Sequence, residues 1–302
     1  MVETSKDVVI IGGGPAGLSG ALLLGRCLRS VVVCDAGRPR NERSPAMHGF
    51  LGSNGISPKE FLERSRAQLL PYENVSFIAA SVREIEKLET GYRVSAEDGL
   101  QWRSKAVLLA TGLIDKLPDI PGLQDCYGIS VHSCPYCDAW EKRGDRLGVI
   151  GGDEAAINLG LELLIWSNQV TLFTNSAPGT QPITFPTGRS LSVVEGAISI
   201  LKRNGPHLQF VVIDDRSYAC DALFFSPVQS QHQDFAAKLG CHLVAGEVKC
   251  GPEGGTGLSG LFIAGNASCG IQMAIVAAAE GLKAAAAIND WLIDYDFPKE
   301  AG

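Results

Sequence analysis

The sequence predicts an α/β fold built from two copies of a strand–helix–strand unit, one starting near residue 7 and the other near residue 147. Short apolar runs with the length of buried strands alternate with longer segments that have helical periodicity. In both copies a glycine-rich turn follows the first apolar run. The 302 residues also suffice for about two domains.

In the first copy, the pattern predicts a buried strand at Val8–Ile11, an apolar helix from about Ala16 to Arg29 and a second buried strand at Val31–Cys34. A segment rich in Arg, Pro, Gly and Asn, Gly37–Ser57, is predicted to be a long loop. An amphipathic helix and four strands are predicted next, at Pro58–Leu70, Val75–Ile78, Val82–Leu88, Tyr92–Ala96 and Val107–Ala110.

A proline-rich segment at residues 113–123 predicts a domain boundary. The second copy follows it, with a strand, a helix and a strand predicted at Leu147–Ile150, Ala155–Trp166 and Val170–Phe173. Another buried strand is expected at Leu261–Ala264 and a long alanine-rich helix at Ile271–Leu292.

Composition and charge restrict the class of protein. Apolar residues make up 45% and charged residues 20% of the chain, as in ordinary globular proteins. The net charge of −7 argues against nucleic acid or an acidic membrane as partner. The first apolar run is too short for a signal-peptide core or a membrane span, so a cytoplasmic location is expected. Most of the nine cysteines are therefore expected to be reduced and buried.

A dinucleotide-binding turn is predicted at Gly12-x-Gly14-x-x-Gly17, between the first strand and the first helix. The three glycines allow a tight turn, the approach of a pyrophosphate and close helix–strand packing. The helix N-terminus offers free N–H groups to the phosphates. Asp35, at the end of the second strand, has the spacing of the acidic residue that binds a ribose hydroxyl. The alternative is a purely structural turn.

Cys134 and Cys137, in the sequence CPYCD, have the spacing of a redox-active pair. Two intervening residues let both thiols lie on one helical turn and close a small disulfide ring, and a helix N-terminus would favour a thiolate there. One alternative is half of a zinc site, although the sequence has no second Cys-x-x-Cys or paired His-x-His to complete it. The other alternative is coincidence. Redox chemistry is favoured, and no metal site is predicted.

Two later stretches, LLATG at 108–112 and LFIAGN at 261–266, resemble the second and third FAD-contact motifs of two-dinucleotide-domain flavoproteins. With the Cys-x-x-Cys-Asp between them, the chain resembles the low-molecular-weight thioredoxin reductases over nearly its whole length. The resemblance implies an α/β fold with two Rossmann-like three-layer dinucleotide-binding domains, the second inserted in the first. The FAD-binding domain would comprise residues 1–113 and 248–302, and the inserted NAD(P)H-type domain residues 114–247.

The same resemblance implies roles for individual residues. Cys137 would be the thiol nearest the flavin, Cys134 the thiol that attacks the substrate, and Asp138 the proton donor or acceptor beside them. Gln272 would lie near the isoalloxazine ring, and Cys269, also near the FAD, is interpreted as a small buried hydrophobe. A homodimer is implied as well. The implied FAD-binding residues are Gly12, Gly14, Pro15, Ala16, Gly17, Asp35, Ala110, Thr111, Gly112, Gly265, Asn266, Gln272 and Met273.

The segments GRPRN at 37–41 and HGFLG at 48–52, together with CPYC, resemble a subgroup of this family. That subgroup includes dithiol oxidases acting on small natural products and related enzymes that do not use NADPH. The oxidases usually carry His after the second cysteine, where this chain has Asp138. Asn266 also replaces the usual Asp, but it can still hydrogen-bond, so FAD binding is expected to survive.

The second dinucleotide turn departs from the family pattern in either alignment. Pairing the usual Gly-Asp with Gly152 and Asp153 puts Ile150 where the first glycine belongs, and a branched side chain cannot make that turn. The alignment GxDxxA from Gly151 puts a carboxylate where a pyrophosphate should approach. Residues 174–176, Thr-Asn-Ser, replace a His-Arg-Arg group that binds the 2′-phosphate. NADPH is therefore not expected to be the donor; a variant NADPH or NADH site is the alternative.

Three functions fit this pattern. The favoured one is a thioredoxin-reductase-like enzyme that takes electrons from ferredoxin or another flavin electron carrier and passes them to a thioredoxin-like protein or a small disulfide. The alternatives are a dithiol oxidase with oxygen as acceptor and a non-enzymatic flavin-bound redox sensor. His132 could stabilise a thiolate or move a proton, and His48 could approach the flavin, unless each is simply packed or solvated.

Overall fold

The structure, a computed structural model, describes residues 4–176, 183–184, 190–231, 234–244, 246–268 and 270–298. Its first ten strands are β1 (Thr4–Ile11), β2 (Val31–Asp35), β3 (Val75–Ala79), β4 (Val82–Lys87), β5 (Tyr92–Ala96), β6 (Gln101–Leu109), β7 (Ile114–Lys116), β8 (Val131–His132), β9 (Leu147–Ile150) and β10 (Val170–Phe173). The others are β11 (Ile183–Thr184), β12 (Ser190–Val194), β13 (Ile198–Asn204), β14 (His207–Ile213), β15 (Arg216–Ala219), β16 (Ala222–Phe225), β17 (Val228–Ser230), β18 (Leu243–Val244), β19 (Glu247–Val248) and β20 (Leu261–Ile263).

The helices are fewer and mostly short. They are α1 (Pro15–Arg26), α2 (Pro58–Ala67), α3 (Leu123–Cys126), α4 (Pro135–Asp138), α5 (Glu154–Leu163), α6 (Phe235–Lys238) and α7 (Ala274–Asp296), with a 3-10 turn at Gly265–Ala267. Among the described residues, no helix is both long enough and apolar enough to cross a membrane.

The first sheet has the strand order β3-β2-β1-β6-β5-β4, and β20 pairs with β6. β1, β2, β3, β20 and the end of β6 are parallel, whereas β4 and β5 form an antiparallel extension. The unbroken apolar runs of β1 and β2 follow from burial on both faces. Apolar side chains of α1 and α7 cover one face, and the other face packs against a second cluster that includes Tyr92, Trp102 and Phe235.

The second sheet has the order β11-β12-β10-β9-β16-β8, parallel except for β11. Leu159 and Leu163 of α5 pack on one face, and the antiparallel β13–β14–β15 sheet packs on the other. Both sheets are Rossmann-like, so the predicted α/β class with two strand–helix–strand copies is confirmed.

Several helix ends differ from the sequence prediction: α2 ends at Ala67 rather than Leu70, and α5 covers Glu154–Leu163 rather than Ala155–Trp166. α1 ends at Arg26 rather than Arg29, because Leu28 adopts a left-handed conformation with φ 60°. α7 begins at Ala274 rather than Ile271, because the preceding Met273 has an extended backbone and caps the helix. α7 continues to Asp296, whose carboxylate contacts Arg29 Nη1 at 2.6 Å and Lys105 Nζ at 2.8 Å. These ion pairs dock the last turn onto the first sheet.

A two-stranded antiparallel ribbon of β7 and β17 lies on the two connections between the sheets, with Asp115 opposite Gln229. After the ribbon, Phe235 and Ala236 of α6 already pack with Val9 of the first sheet. This packing favours a return to the first domain before residue 248. The predicted limits of the two domains stay a prediction.

Candidate functional site

The turn between β1 and α1 can be made only by small residues. Gly12 has φ +109°, and a Cβ there would lie 2.1 Å from the carbonyl oxygen of Ala110 on the neighbouring strand. A Cβ on Gly17 would lie 1.9 Å from the carbonyl oxygen of Gly12. The first and third positions of the motif must therefore be glycine, because a neighbouring backbone carbonyl lies too close for any side chain.

Gly14 has a different environment. It caps α1 with an ordinary φ of −79°, and no atom of the described residues lies within 4 Å of a Cβ built on it. No described side chain caps this helix, so its first N–H groups face open space that suits a pyrophosphate. Asp35 lies beside the turn, accepting from the Gly13 N–H at 3.1 Å and from Arg66 Nη2 at 2.7 Å. The turn therefore has the shape that a dinucleotide requires.

One cavity of about 450 Å³ joins this turn to the cysteine pair. All the predicted FAD-binding residues except Gly17 line this cavity. Gly17 instead lies where α1 packs closely against β1 and the turn. Cys134, Cys137 and Asp138 line the same cavity. The tertiary structure thus brings residues from four distant parts of the sequence to one site. Cys269 lies outside the described residues.

Cys134 and Cys137 form a disulfide with Cα atoms 5.3 Å apart, and both residues are partly exposed. Cys134 caps the single-turn helix α4, and its Sγ accepts from the Cys137 N–H at 3.2 Å. The helix whose N-terminus was expected to favour a thiolate is therefore only one turn long. One turn aligns few peptide dipoles, so this N–H, rather than a macrodipole, is the local contact to the sulfur.

The flanking residues form an acid–base pair. His132, on β8, is 4% exposed, and its Nδ1 lies 3.3 Å from Asp138 Oδ1. The imidazole packs on the Phe224 ring at 5.3 Å between centroids. Its Nε2 is buried without a hydrogen-bond partner among the described residues. His48 also lines the cavity, with Nε2 3.4 Å from Glu141 Oε1.

Sequence reasoning missed a partly buried polar network at the junction of the two sheets. Asp115 Oδ1 and Oδ2 accept from Arg40 Nη2 and Nε at 2.6 and 2.7 Å, and Oδ2 also accepts from the Tyr127 hydroxyl at 2.9 Å. Gln229 Nε2 donates to Asp115 Oδ1 at 3.3 Å and to Gln272 Oε1 at 2.8 Å. Arg40 Nη1 also donates to Gln272 Oε1, at 2.5 Å. Arg40 belongs to the GRPRN segment that resembles the subgroup, and Gln272 is a predicted FAD contact, but no sequence pattern paired either of them with Asp115.

The second glycine turn is built differently from the first. Gly151 follows β9 with φ +131°, as Gly12 follows β1, so the structure selects the GxDxxA alignment. Asp153 then occupies the place of Gly14, and its Oδ1 accepts from the Ala156 N–H at 2.9 Å. The N-terminus of α5 is thereby capped by a carboxylate of the chain itself. Asn175 Oδ1 accepts from the Ile198 N–H at 3.0 Å.

Other cysteines are poor candidates for the redox role. Cys34, Cys126, Cys220 and Cys241 are buried, and burial raises the pKa of each thiol, that of Cys34 to about 12. Because the thiolate is the nucleophile, these thiols are unreactive at neutral pH.

Comparison with known proteins agrees with this geometry. Residues 6–177 match the family described as pyridine nucleotide-disulphide oxidoreductase. A probable thioredoxin reductase of Arthroderma benhamiae is 35% identical over 179 residues, 57% of this chain and 44% of that protein. Thioredoxin reductase tcpT of Claviceps purpurea is 35% identical over 181 residues, 56% of this chain and 55% of that protein. The chain thus spans about half the length of these curated relatives.

A solved structure covers more of the chain. The putative thioredoxin reductase TrxB from Bacillus anthracis has a TM-score of 0.90 and 31% identity over 97% of this chain and 100% of its own. Thioredoxin reductases of this kind depend on FAD. The open space beside Gly14 and the disulfide in the same cavity fit that cofactor. The chain belongs to the pyridine nucleotide-disulphide oxidoreductase family, as a flavoprotein of the low-molecular-weight thioredoxin-reductase-like type.

Proposed function

We propose that this protein is an FAD-dependent disulfide oxidoreductase that exchanges electrons through the Cys134–Cys137 pair and takes them from a donor other than NADPH. The observation that carries the proposal is the single cavity that joins the dinucleotide turn to the disulfide. The predicted site residues are proposed on the same ground, since all but Gly17 line that cavity.

Bound FAD, once reduced by two electrons from the proposed donor, would supply an electron pair to the disulfide. Two electrons and one proton convert the Cys134–Cys137 disulfide into one thiolate and one thiol. The Cys134 thiolate then attacks a partner disulfide, breaking its S–S bond and forming a mixed disulfide. Cys137 attacks Cys134 in turn, restoring the internal disulfide and releasing the second partner thiol.

Asp138 and His132 are proposed to handle the protons of this cycle. Each lies one or two residues from a cysteine in sequence, and the pair is in contact at 3.3 Å. Cys134 and Cys137 need a group that gives up a proton when a thiol leaves and accepts one when a thiol attacks. His132 is suited to this because an imidazole ring can both donate and accept a proton.

The two glycine turns support a donor other than NADPH. At the first turn, Gly14 leaves the N–H groups of α1 open. At the second turn, Asp153 satisfies the Ala156 N–H and places negative charge where a phosphate would bind, and Glu154 adds another carboxylate in the first turn of α5. Ferredoxin or another flavin electron carrier is the proposed donor class.

The proposed acceptor is a thioredoxin-like protein or a small disulfide. Tyr136 and Trp140, beside the cysteines, are 67% and 60% exposed and offer an aromatic surface for such a partner. A homodimer in the cytoplasm and domain limits at residues 113 and 248 are kept as parts of the proposal.

The test is an anaerobic titration of the FAD-loaded protein, followed by the bleaching of the flavin absorbance. NADPH at millimolar concentration is expected to bleach it slowly or not at all, whereas reduced ferredoxin should bleach it and dithiothreitol should do so through the disulfide. Fast, complete bleaching by NADPH would return the protein to the NADPH-dependent reductases. Multiple turnover with a dithiol and oxygen would instead show a dithiol oxidase, and no turnover with any pair a sensor.

A further inference from the structure

The Arg40–Asp115 ion pair joins parts of the molecule that carry the two halves of the site. Arg40 follows β2 of the first sheet, and its partner Gln272 precedes α7, which packs on that sheet. Asp115 and Gln229 lie on the β7–β17 ribbon, which leads to and from the second sheet. Every hydrogen bond from Arg40 or Gln272 to Asp115 or Gln229 therefore crosses the junction.

The Asp115 carboxylate is buried and fully hydrogen-bonded, whereas Arg40 is partly exposed. The Asp115 side chain is 4% exposed and accepts four hydrogen bonds, two of them from the Arg40 guanidinium in a bidentate geometry. Bidentate pairs fix orientation as well as distance. Removing one partner of a buried pair leaves the other charge without compensation, so this arrangement is costly to disturb.

A short series of contacts leads from Asp115 toward the disulfide. The Tyr127 hydroxyl donates to Asp115, and burial, reinforced by this carboxylate, raises the pKa of Tyr127 to about 12, which keeps the hydroxyl a donor. Tyr127 bridges to Val131 of β8, and the Gly128 N–H bonds to the Val131 carbonyl at 2.8 Å. β8 ends two residues before Cys134.

We propose that Arg40 and Asp115 are positioning residues that hold the Cys134–Cys137 disulfide against the flavin side of the cavity. The proposal rests on the proposed function, because it assumes that this disulfide exchanges electrons with the flavin. Breaking the pair would let the second sheet and its disulfide move relative to the first sheet and its dinucleotide turn. The disulfide would then be more accessible to solvent and farther from its electron donor.

The test compares Asp115→Asn and Arg40→Lys with Asp221→Asn as a matched control. Asp221 forms a bidentate pair with Arg146 within the second sheet, and breaking it leaves the junction intact. Arg40→Lys keeps the positive charge but cannot form the bidentate pair with Asp115. It therefore tests the proposal even if Asp115→Asn fails to fold. All variants are studied as FAD-loaded proteins, with FAD content and thermal unfolding recorded for each.

The first readout is the rate at which tris(2-carboxyethyl)phosphine reduces the disulfide, measured by alkylation and mass spectrometry. It should rise in Asp115→Asn and Arg40→Lys and stay unchanged in Asp221→Asn. The second readout is electron transfer from flash-reduced flavin to the disulfide, expected to fall on the order of tenfold to a hundredfold because geometry sets the rate. Oxidation of the same reduced flavin by ferricyanide should not change.

These readouts separate the failure of this inference from the failure of the proposed function. If the unmodified protein transfers no electrons from flavin to disulfide, the proposed function is wrong. If it does, and both junction variants match it in transfer and in phosphine accessibility, the positioning role is wrong. Loss of FAD from the variants, or slowing of ferricyanide oxidation to the same degree, would also overturn it and assign the pair to cofactor retention.

Discussion

His132 Nδ1 lies 3.3 Å from Asp138 Oδ1, across the segment that carries the Cys134–Cys137 disulfide. His132 comes two residues before Cys134, and Asp138 directly follows Cys137. The imidazole is held by the Phe224 ring, and its burial limits the positions it can take. The pair therefore flanks the two cysteines in sequence and is held together in the fold.

Replacing His132 by Gln is expected to slow dithiol–disulfide turnover about a hundredfold, because positioned acid–base groups contribute at least that much. Turnover of a small disulfide at saturating electron donor is the measurement. His48→Gln is the control, since His48 lines the cavity but pairs with Glu141. An equal loss in both variants would contradict a specific role for His132.

Cys137→Ser and Cys134→Ser are each expected to abolish dithiol–disulfide turnover while leaving FAD bound. Loss of Cys137 should block exchange between flavin and thiol, and loss of Cys134 should leave no thiol to attack the substrate. Turnover and thiol titration of the same samples measure this. Cys27→Ser, at the partly exposed end of α1, is the control. Near-normal turnover in either pair variant would make the disulfide structural.

Gly14→Val is expected to lower FAD affinity tenfold or more, about 1.4 kcal/mol, with little change in thermal stability. The added side chain would enter open space where the pyrophosphate approaches, and the backbone at Gly14 accepts any residue. Gly255→Val is the control, because a Cβ there also meets no atom of the described residues within 4 Å. FAD fluorescence titration gives the affinities. Unchanged FAD binding in Gly14→Val would place the cofactor elsewhere.

Asp296→Asn is expected to lower the free energy of unfolding by about 0.5–1 kcal/mol at pH 7. Hydrogen bonds from Lys105 and then Arg29 lower the pKa of Asp296, so its stabilisation is present above the unfolded pKa of about 3.9 and is lost as pH falls further. The difference between variant and unmodified protein should therefore shrink toward pH 3. Denaturant unfolding at both pH values measures it, with the exposed Asp294→Asn as control. A constant difference would rule out this linkage.

The two strand–helix–strand copies and the first dinucleotide turn could be predicted because they depend on local physics. β1, β2 and β9 each contain a short buried apolar run, and only glycine fits at Gly12 and Gly17. The ends of α1 and α7 could not be placed, since a left-handed Leu28 and the ion pairs of Asp296 depend on context. The sequence between residues 174 and 260 has no clear periodicity of apolar residues, so the short strands of this stretch could not be predicted.

The sequence by itself determined which chemical groups are present: a residue without a side chain at Gly14, a Cys-x-x-Cys pair at Cys134 and Cys137, and no basic group at residues 174–176. These properties follow from residue type and spacing. Only the tertiary structure decided that Asp153 aligns with Gly14, and that Arg40 meets Asp115 across the junction. The first depends on the backbone conformation at Gly151. The Arg40–Asp115 contact joins residues far apart in sequence, and chain folding alone brings their polar groups into bonding distance.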